Sequence, residues 1–254
     1  MIITKDSTQS FSGLADRYTI GRPMYAHELI QTLYSEYRFS EQSIIADIGC
    51  GTGKFAQQLL EKGSFVYGVE PNDDMRNTAV AELKQYKKFR AVKGTAADTT
   101  LKDGSVDNVT VAQAFHWFHV MEFKKECERI LQKGGQVFLI WNIRDMLHAV
   151  NQKSYEIYSK YCPAFQGFGG GIQRDDWRIK QFFDRKYEYR EFANPLVYDK
   201  EGFISRSLSA SYSLKQNDRD YEKYLDELSC LFEQYAENGM LTMENKTIVY
   251  IGKI

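Results

Sequence analysis

Three glycines at alternate positions, Gly49, Gly51 and Gly53, follow the apolar run 44–48, which carries the acid Asp47 next to its end. A helix-like stretch, 55–62, comes next, and a second apolar run, 65–69, ends in Glu70. Glycine tolerates positive φ and has no Cβ, so this turn can be sharp and a ligand can approach its backbone. Glu70 lies 21 residues after Gly49, close to the roughly 20-residue spacing of an acid that accepts from a pair of ribose hydroxyls. These residue types at this spacing point to a nucleoside-containing ligand.

Three ligands use glycine-rich loops after a first strand, and spacing separates them. A dinucleotide fingerprint, G-x-G-x-x-G, would need a glycine where Lys54 stands. A P-loop, G-x-x-x-x-G-K-[ST], would need glycine at Ile48 and a hydroxyl at Phe55. Neither phosphate pattern is complete, which also makes a dehydrogenase the weakest of the alternatives. G-x-G-x-G preceded by Asp47 is the spacing of enzymes that use S-adenosylmethionine, a ligand with an adenosine, a sulfonium and a zwitterionic amino acid tail but no phosphate.

With these residues in view, the chain resembles the class I S-adenosylmethionine-dependent methyltransferases, and within them the small-molecule branch that includes the trans-aconitate methyltransferases. The likeness runs from about Asp16 to Asn142 and weakens beyond. Tyr18-Thr19-Ile20-Gly21-Arg22-Pro23-Met24-Tyr25 is similar to the Y-x-x-x-R-P-x-Y opening of that branch. Ala112-Gln113-Ala114-Phe115-His116-Trp117-Phe118 resembles its A-Q-A-F-H-W-F segment, and Arg129-Ile130-Leu131-Gln132-Lys133-Gly134-Gly135 its R-x-L-x-x-G-G. Gly94-Thr95-Ala96 sits where the family contacts adenine. Two positions depart from it: many relatives carry an acid at Thr95, and this branch often has Glu at Ala97, with Asp98 adjacent.

The resemblance implies roles residue by residue. Asp47 and Gly49 would face the amino acid tail, with Gly51 and Gly53 allowing close backbone approach. Glu70 would accept both ribose hydroxyls, and Asn72, Met75, Thr95 and Ala96 would flank the adenine. Gln113 would end the fourth strand near the tail. Arg22 would pair with a carboxylate of cofactor or substrate, or anchor the N-terminal arm. His116 and Trp117, with Tyr18, would stand at the transfer site. His116 has three roles open to it: base, substrate donor, or a histidine satisfied within its loop. Asp47 has a local alternative, capping the turn that follows it. Stretch 141–145 could touch substrate, and Asp145 could equally cap a helix.

Alternation of apolar runs and helical faces predicts strands near 43–48, 64–70, 88–92, 106–112 and 135–142, and helices near 26–37, 54–62, 73–86 and 120–132. Gly134-Gly135 is expected to end the helix before strand five. Further on, a helix is expected over 149–161, a strand over 187–192, helices over 200–236 with a break near 211–218, and a closing strand over 246–251. The expected fold is α/β, a Rossmann-like open, mostly parallel seven-stranded sheet with helices on both faces, an antiparallel edge strand and helical cap segments. The single domain, 1–254, divides into an arm and helix (1–40), a cofactor-binding core (41–143), a region holding the cap segments (144–237, with 144–185 and 197–237 as its pieces) and a closing edge strand (238–254). The glycine run Gly167–Gly171 reads as a lid hinge or loose loop.

Composition narrows the partners. The 33 Lys and Arg against 34 Asp and Glu leave a net charge of −1, so no basic field draws in nucleic acid. The four cysteines form no C-x-x-C pair, which leaves neither a disulfide framework nor a structural zinc site indicated. No apolar run nears the roughly 18 residues of a membrane span, and residues 1–12 lack an apolar signal core. The expectation is a cytoplasmic monomer or homodimer that binds S-adenosylmethionine, yields S-adenosylhomocysteine and methylates a small molecule at a carboxylate or hydroxyl oxygen, using no metal. A tRNA or protein methyltransferase and a non-catalytic cofactor-binding sensor or partner subunit are the other readings.

Overall fold

The structure, a computed structural model, describes residues 23–168, 176–210 and 212–254. Expectations for Tyr18, Arg22 and most of the Gly167–Gly171 run lie outside the described residues. The chain runs α1 (His27–Glu36), β1 (Ile44–Ile48), α2 (Lys54–Glu61), β2 (Phe65–Val69), α3 (Asp73–Glu82), β3 (Phe89–Val92), β4 (Val106–Ala112), a 3-10 turn (Phe115–Trp117), α4 (Val120–Ile130) and β5 (Leu131–Arg144). It continues through α5 (Ala149–Tyr161), α6 (Trp177–Phe182), β6 (Glu188–Ala193), β7 (Leu196–Tyr198), α7 (Lys200–Leu208), α8 (Tyr221–Tyr235), β8 (Leu241–Met243) and β9 (Asn245–Gly252).

A seven-stranded sheet in the order β3-β2-β1-β4-β5-β9-β6 forms the centre. β1 pairs in parallel with both β2 and β4. The strand order therefore reverses between β1 and β4, and an open α/β sheet takes its ligands outside the carboxyl ends of the strands at such a switch point. The antiparallel strand expected at the sheet's edge is β9. It lies one place in, hydrogen-bonded between β5 and β6.

Period-2 alternation divides the apolar side chains between two faces. Phe138 and Ile140 of β5, with Val249 and Ile251 of β9, join Leu29, Leu33, Phe55, Leu59 and Leu83 on the face covered by α1, α2 and α3. Leu139 and Trp141, with Ile248 and Tyr250, join Phe115, Phe123, Ile130, Phe182 and Phe183 on the other face, under α4 and α6. β1, β4 and β5 are buried on both faces, which is why they read as continuous apolar runs.

The helix before β5 ends at Ile130, four residues ahead of Gly134-Gly135. The glycines lie instead in an irregularity of β5, where the register jumps from Val106↔Leu131 to Asn108↔Gln136. A Cβ on Gly135 would stand 2.5 Å from the Asp107 carbonyl oxygen, so close backbone approach rather than helix capping requires glycine there.

A third cluster stands apart from the sheet. Tyr158 of α5, Phe203 of α7, Tyr224, Leu228 and Phe232 of α8, and Leu241 and Met243 of β8 pack together. β7 and β8 form a separate two-stranded sheet beneath them. Of the stretches expected to hold cap segments, 144–185 is divided: α5 belongs to this cluster, whereas α6 packs on α4, with Phe123 and Phe182 stacked at 5.1 Å between ring centroids. α6 and the β7–β8 pair have no counterpart in the periodicity reading. Among the described residues no helix is long and apolar enough to cross a membrane.

Candidate active site

The loop after β1 is fastened to β2. Gly49 and Cys50 both donate their N–H to the Val69 carbonyl, at 2.8 and 3.2 Å. Gly49, Gly51 and Gly53 have φ of 70°, 56° and 83°, a left-handed bend that side chains resist. The three glycines differ in what surrounds them. A Cβ on Gly49 would meet Ala114 Cβ at 2.7 Å and one on Gly53 would meet Leu83 Cδ1 at 2.6 Å, but at Gly51 nothing lies within 4 Å. Gly49 and Gly53 thus serve packing, and Gly51 faces open space.

Glu70, at the end of β2, is buried and turned back onto the loop. Its Oε2 accepts the Gly51 N–H at 3.0 Å and its Oε1 accepts the Asn72 N–H at 2.9 Å. Burial raises its carboxyl above the ordinary value, an effect opposed by these two backbone donors. A carboxylate has about four acceptor sites, so two remain for a ligand. Asn72 caps α3, its Oδ1 accepting the Met75 N–H at 3.0 Å, and Asp73 and Asp74 in the first turn suit the helix N-terminus. Asn72 and Met75 are both buried beside Glu70.

Asp47 is 1% exposed. Its Oδ1 accepts the Thr110 hydroxyl of β4 at 2.8 Å, so the local alternative, capping its own turn, is not the contact it makes. Its Oδ2 is enclosed and meets no donor among the described residues. Burial pushes the carboxyl up to about 7, with Glu70 adding repulsion and Thr110 opposing the rise. Burial likewise holds the neighbouring Cys50 as a neutral thiol.

β3 and β4 complete the edge. Beyond β3, Thr95 is exposed, and its backbone and hydroxyl close a turn on Asp98 (Thr95 N–H to Asp98 O 2.8 Å, Asp98 N–H to Thr95 Oγ1 3.1 Å). Asp98 is therefore part of the turn, and Ala96 is half-buried within it. Beyond β4, Gln113 has φ of 58°, a left-handed conformation that costs a non-glycine residue about 1–3 kcal/mol. Its Nε2 donates to the Asn142 carbonyl at 2.9 Å. The 3-10 turn follows, with Ala114 and Phe118 against Gly49. That contact sets His116 and Trp117 next to the glycine loop. Trp117 is half exposed and its ring lies 4.9 Å from that of His116, while the His116 carbonyl accepts from Arg178 of α6 at 3.4 Å.

Two residues of β5 were only weakly marked by the sequence. Asn142 is a junction: its Nδ2 donates to Met24 O at 3.2 Å, and its Oδ1 accepts from Thr247 Oγ1 at 2.5 Å and Asn194 Nδ2 at 3.1 Å. Arg144 ends the strand among the aromatic rings of the third cluster. Asp145 does not cap α5, whose N-cap is His148. It accepts the Leu147 N–H and pairs with Lys246, each at 3.1 Å. Among the described residues no His, Cys, Asp and Glu side chains converge to hold a metal ion.

Comparison with known proteins agrees with this geometry. Residues 46–139 match the methyltransferase domain family model. An uncharacterized methyltransferase of Mycobacterium tuberculosis is 38% identical over 141 residues, 56% of this chain and 55% of the relative, so that match spans about half of the relative's length. An uncharacterized methyltransferase-like protein of Schizosaccharomyces pombe is 27% identical over 235 residues, 92% of this chain and 91% of its own. Among solved structures, one from Anabaena variabilis, described as a methyltransferase from an antibiotic biosynthesis pathway, shares the fold with a TM-score of 0.63 at 21% identity, covering 92% of this chain and 99% of its own. Over residues 46–139 the chain is thus similar to methyltransferase domains, and along most of its length it shares their fold.

Proposed function

We propose that the chain transfers a methyl group from S-adenosylmethionine to an oxygen, a carboxylate or hydroxyl, of a small molecule. The observation that carries the cofactor reading is the enclosed, unpartnered Oδ2 of Asp47 beside a glycine loop that opens at Gly51. A buried anionic oxygen without a donor is costly, and the ammonium of an amino acid tail, directly or through water, supplies what it lacks. Glu70 retains acceptor capacity for two ribose hydroxyls, and Asn72, Met75, Thr95 and Ala96 line the same strand edge for the adenine. Gly49 and Gly53 hold the loop's shape, and Gln113 sets the far side of the tail. Arg22 and Tyr18 complete the proposed set from the N-terminal segment.

Bound there, the cofactor supplies an activated methyl group for in-line displacement by the acceptor. The protein's part is binding and alignment, worth roughly 7–11 kcal/mol when the reacting atoms are held in line. A carboxylate acceptor is already ionised at pH 7 and needs no base. A hydroxyl acceptor needs one, and His116, in the turn that packs on the glycine loop, is the proposed base. The near-zero net charge and the resemblance to the trans-aconitate branch support a small acidic acceptor over a nucleic acid. Isothermal calorimetry with S-adenosylhomocysteine tests the reading. Saturable binding is expected, and a flat trace with folded protein overturns it.

A further inference from the structure

Arg144 carries a donor that no described residue answers. Its guanidinium carbon lies 4.1 Å from the Phe168 ring centroid and 5.7 Å from that of Tyr158. Tyr212 completes the surround, its ring 5.4 Å from Tyr158. Arg144 Nη1 is enclosed and meets no acceptor among the described residues. A guanidinium does not lose its proton in a protein, so this donor stays charged, and a buried charged donor without an acceptor costs more than a neutral one. Cation–π contact with Phe168 offsets part of that but gives Nη1 no lone pair. Among the described residues no carboxylate answers it either. The adjacent Asp145 is engaged by Lys246 and Leu147. Burial pushes the Tyr212 phenol up to about 12, so it stands as a neutral hydroxyl within reach of the Arg144 and Arg206 charges.

The place of this group in the fold gives it a use. Ile140 of β5 pairs with Ala112, the last residue of β4. Arg144 is four residues farther along β5, roughly 13 Å beyond the end of β4 at 3.3 Å per residue. It therefore stands over the carboxyl edge of the sheet, on the side of the third cluster, away from the glycine loop.

We infer that Arg144 anchors a carboxylate of the methyl acceptor, beside the packed Phe168, Tyr158 and Tyr212 rings. The planar guanidinium matches a planar carboxylate, one cation balances one monoanion, and the neighbouring aromatic cluster suits the apolar body that carries it. Its separation from the glycine loop makes the anchored acid a handle for specificity, remote from the oxygen that is methylated. The identity of the ligand as acceptor rests on the methyl-transfer reading; the anion site itself does not.

Saturation-transfer NMR on the full chain with benzoate and phenylacetate, against benzamide and phenylacetamide, tests this without turnover. The acids are expected to bind and the amides to bind at least tenfold more weakly. Arg144→Met is expected to lose at least tenfold in affinity for the acids while keeping S-adenosylhomocysteine binding, with Arg144→Lys in between. Amides bound as well as acids, inorganic phosphate displacing either acid at concentrations below that acid's own dissociation constant, or Arg144→Met binding acids like the wild type overturns the anchor. Should Arg144→Met fail to fold, the acid-against-amide comparison on the wild type decides. Failure of the wild type to bind S-adenosylhomocysteine sinks the methyl-transfer reading and leaves the anion comparison intact.

Discussion

The Glu70 carboxylate accepts the Gly51 N–H at 3.0 Å across 19 residues of sequence. Through its other oxygen it accepts from Asn72, the residue that caps α3. One buried acid thus ties the turn after β1 to the helix after β2, and sets the bend that a nucleoside is proposed to occupy before any ligand arrives.

Replacing that acid has two expected effects. Glu70→Ala leaves two backbone donors without acceptors, at about 1–3 kcal/mol each, so the ligand-free protein melts lower. It also removes most of the stabilisation by S-adenosylhomocysteine. In the wild type, ligand at 100 times its dissociation constant stabilises by about 2.7 kcal/mol, a rise in melting temperature of roughly 5–10 °C. Thermal scans with and without ligand measure both. A full ligand shift in Glu70→Ala would end the ribose assignment.

Asp47 makes binding depend on pH. Its carboxyl is raised to about 7 in the folded protein, so the fold takes up a proton that the unfolded chain has released. That contribution is fully present below the ordinary carboxylate value near 4 and is lost as pH rises through about 7, so the ligand-free protein loses stability across this window. The proposed ammonium partner requires the ionised form. Affinity for S-adenosylhomocysteine should therefore fall about tenfold per pH unit below about 7 and level off above it. Calorimetry between pH 5 and 8 checks this, and Asp47→Asn should flatten the profile. A wild-type affinity constant across that range contradicts the pairing.

The glycines separate packing from binding. Gly49→Ala forces a methyl to 2.7 Å from Ala114 Cβ at a φ of 70°, and should destabilise by several kcal/mol. Gly51→Ala meets nothing within 4 Å, so its cost is the left-handed backbone alone, about 1–2 kcal/mol. Its added methyl enters the open space proposed for the ligand. Chemical denaturation and calorimetry together should show Gly49→Ala failing mainly in stability and Gly51→Ala mainly in affinity. Equal affinity in Gly51→Ala and wild type would place the ligand elsewhere.

Asn142 joins three distant segments through Met24, Asn194 and Thr247. Asn142→Leu removes the side-chain bonds and strands buried partners, with an expected loss of about 2–4 kcal/mol. Urea unfolding measures it, and a change under about 0.5 kcal/mol would show that the junction adds little.

Much of the frame is legible in the sequence because it is local. Apolar periodicity is set by which face each element buries, and α5 runs over 149–161, matching its periodicity. The glycine bend and Glu70 are legible for the same reason, since strand, turn, helix and strand follow one another within about two dozen residues. Short elements carry too few residues for a period to show: α6 has six residues and β7 three, and each is fixed by what it packs against. Gly134-Gly135 misleads for a related reason, since the signal for a helix end and for close strand approach is the same missing side chain. The sequence by itself determined the fold class, the glycine turn after the first strand and the identity of the acids beside it. Only the tertiary structure decided that Asp47 keeps one oxygen unmet, that Asn142 gathers residues 24, 194 and 247, and that Arg144 stands among Tyr158, Phe168 and Tyr212, because these depend on strand register and chain path, which bring together residues that no local pattern connects.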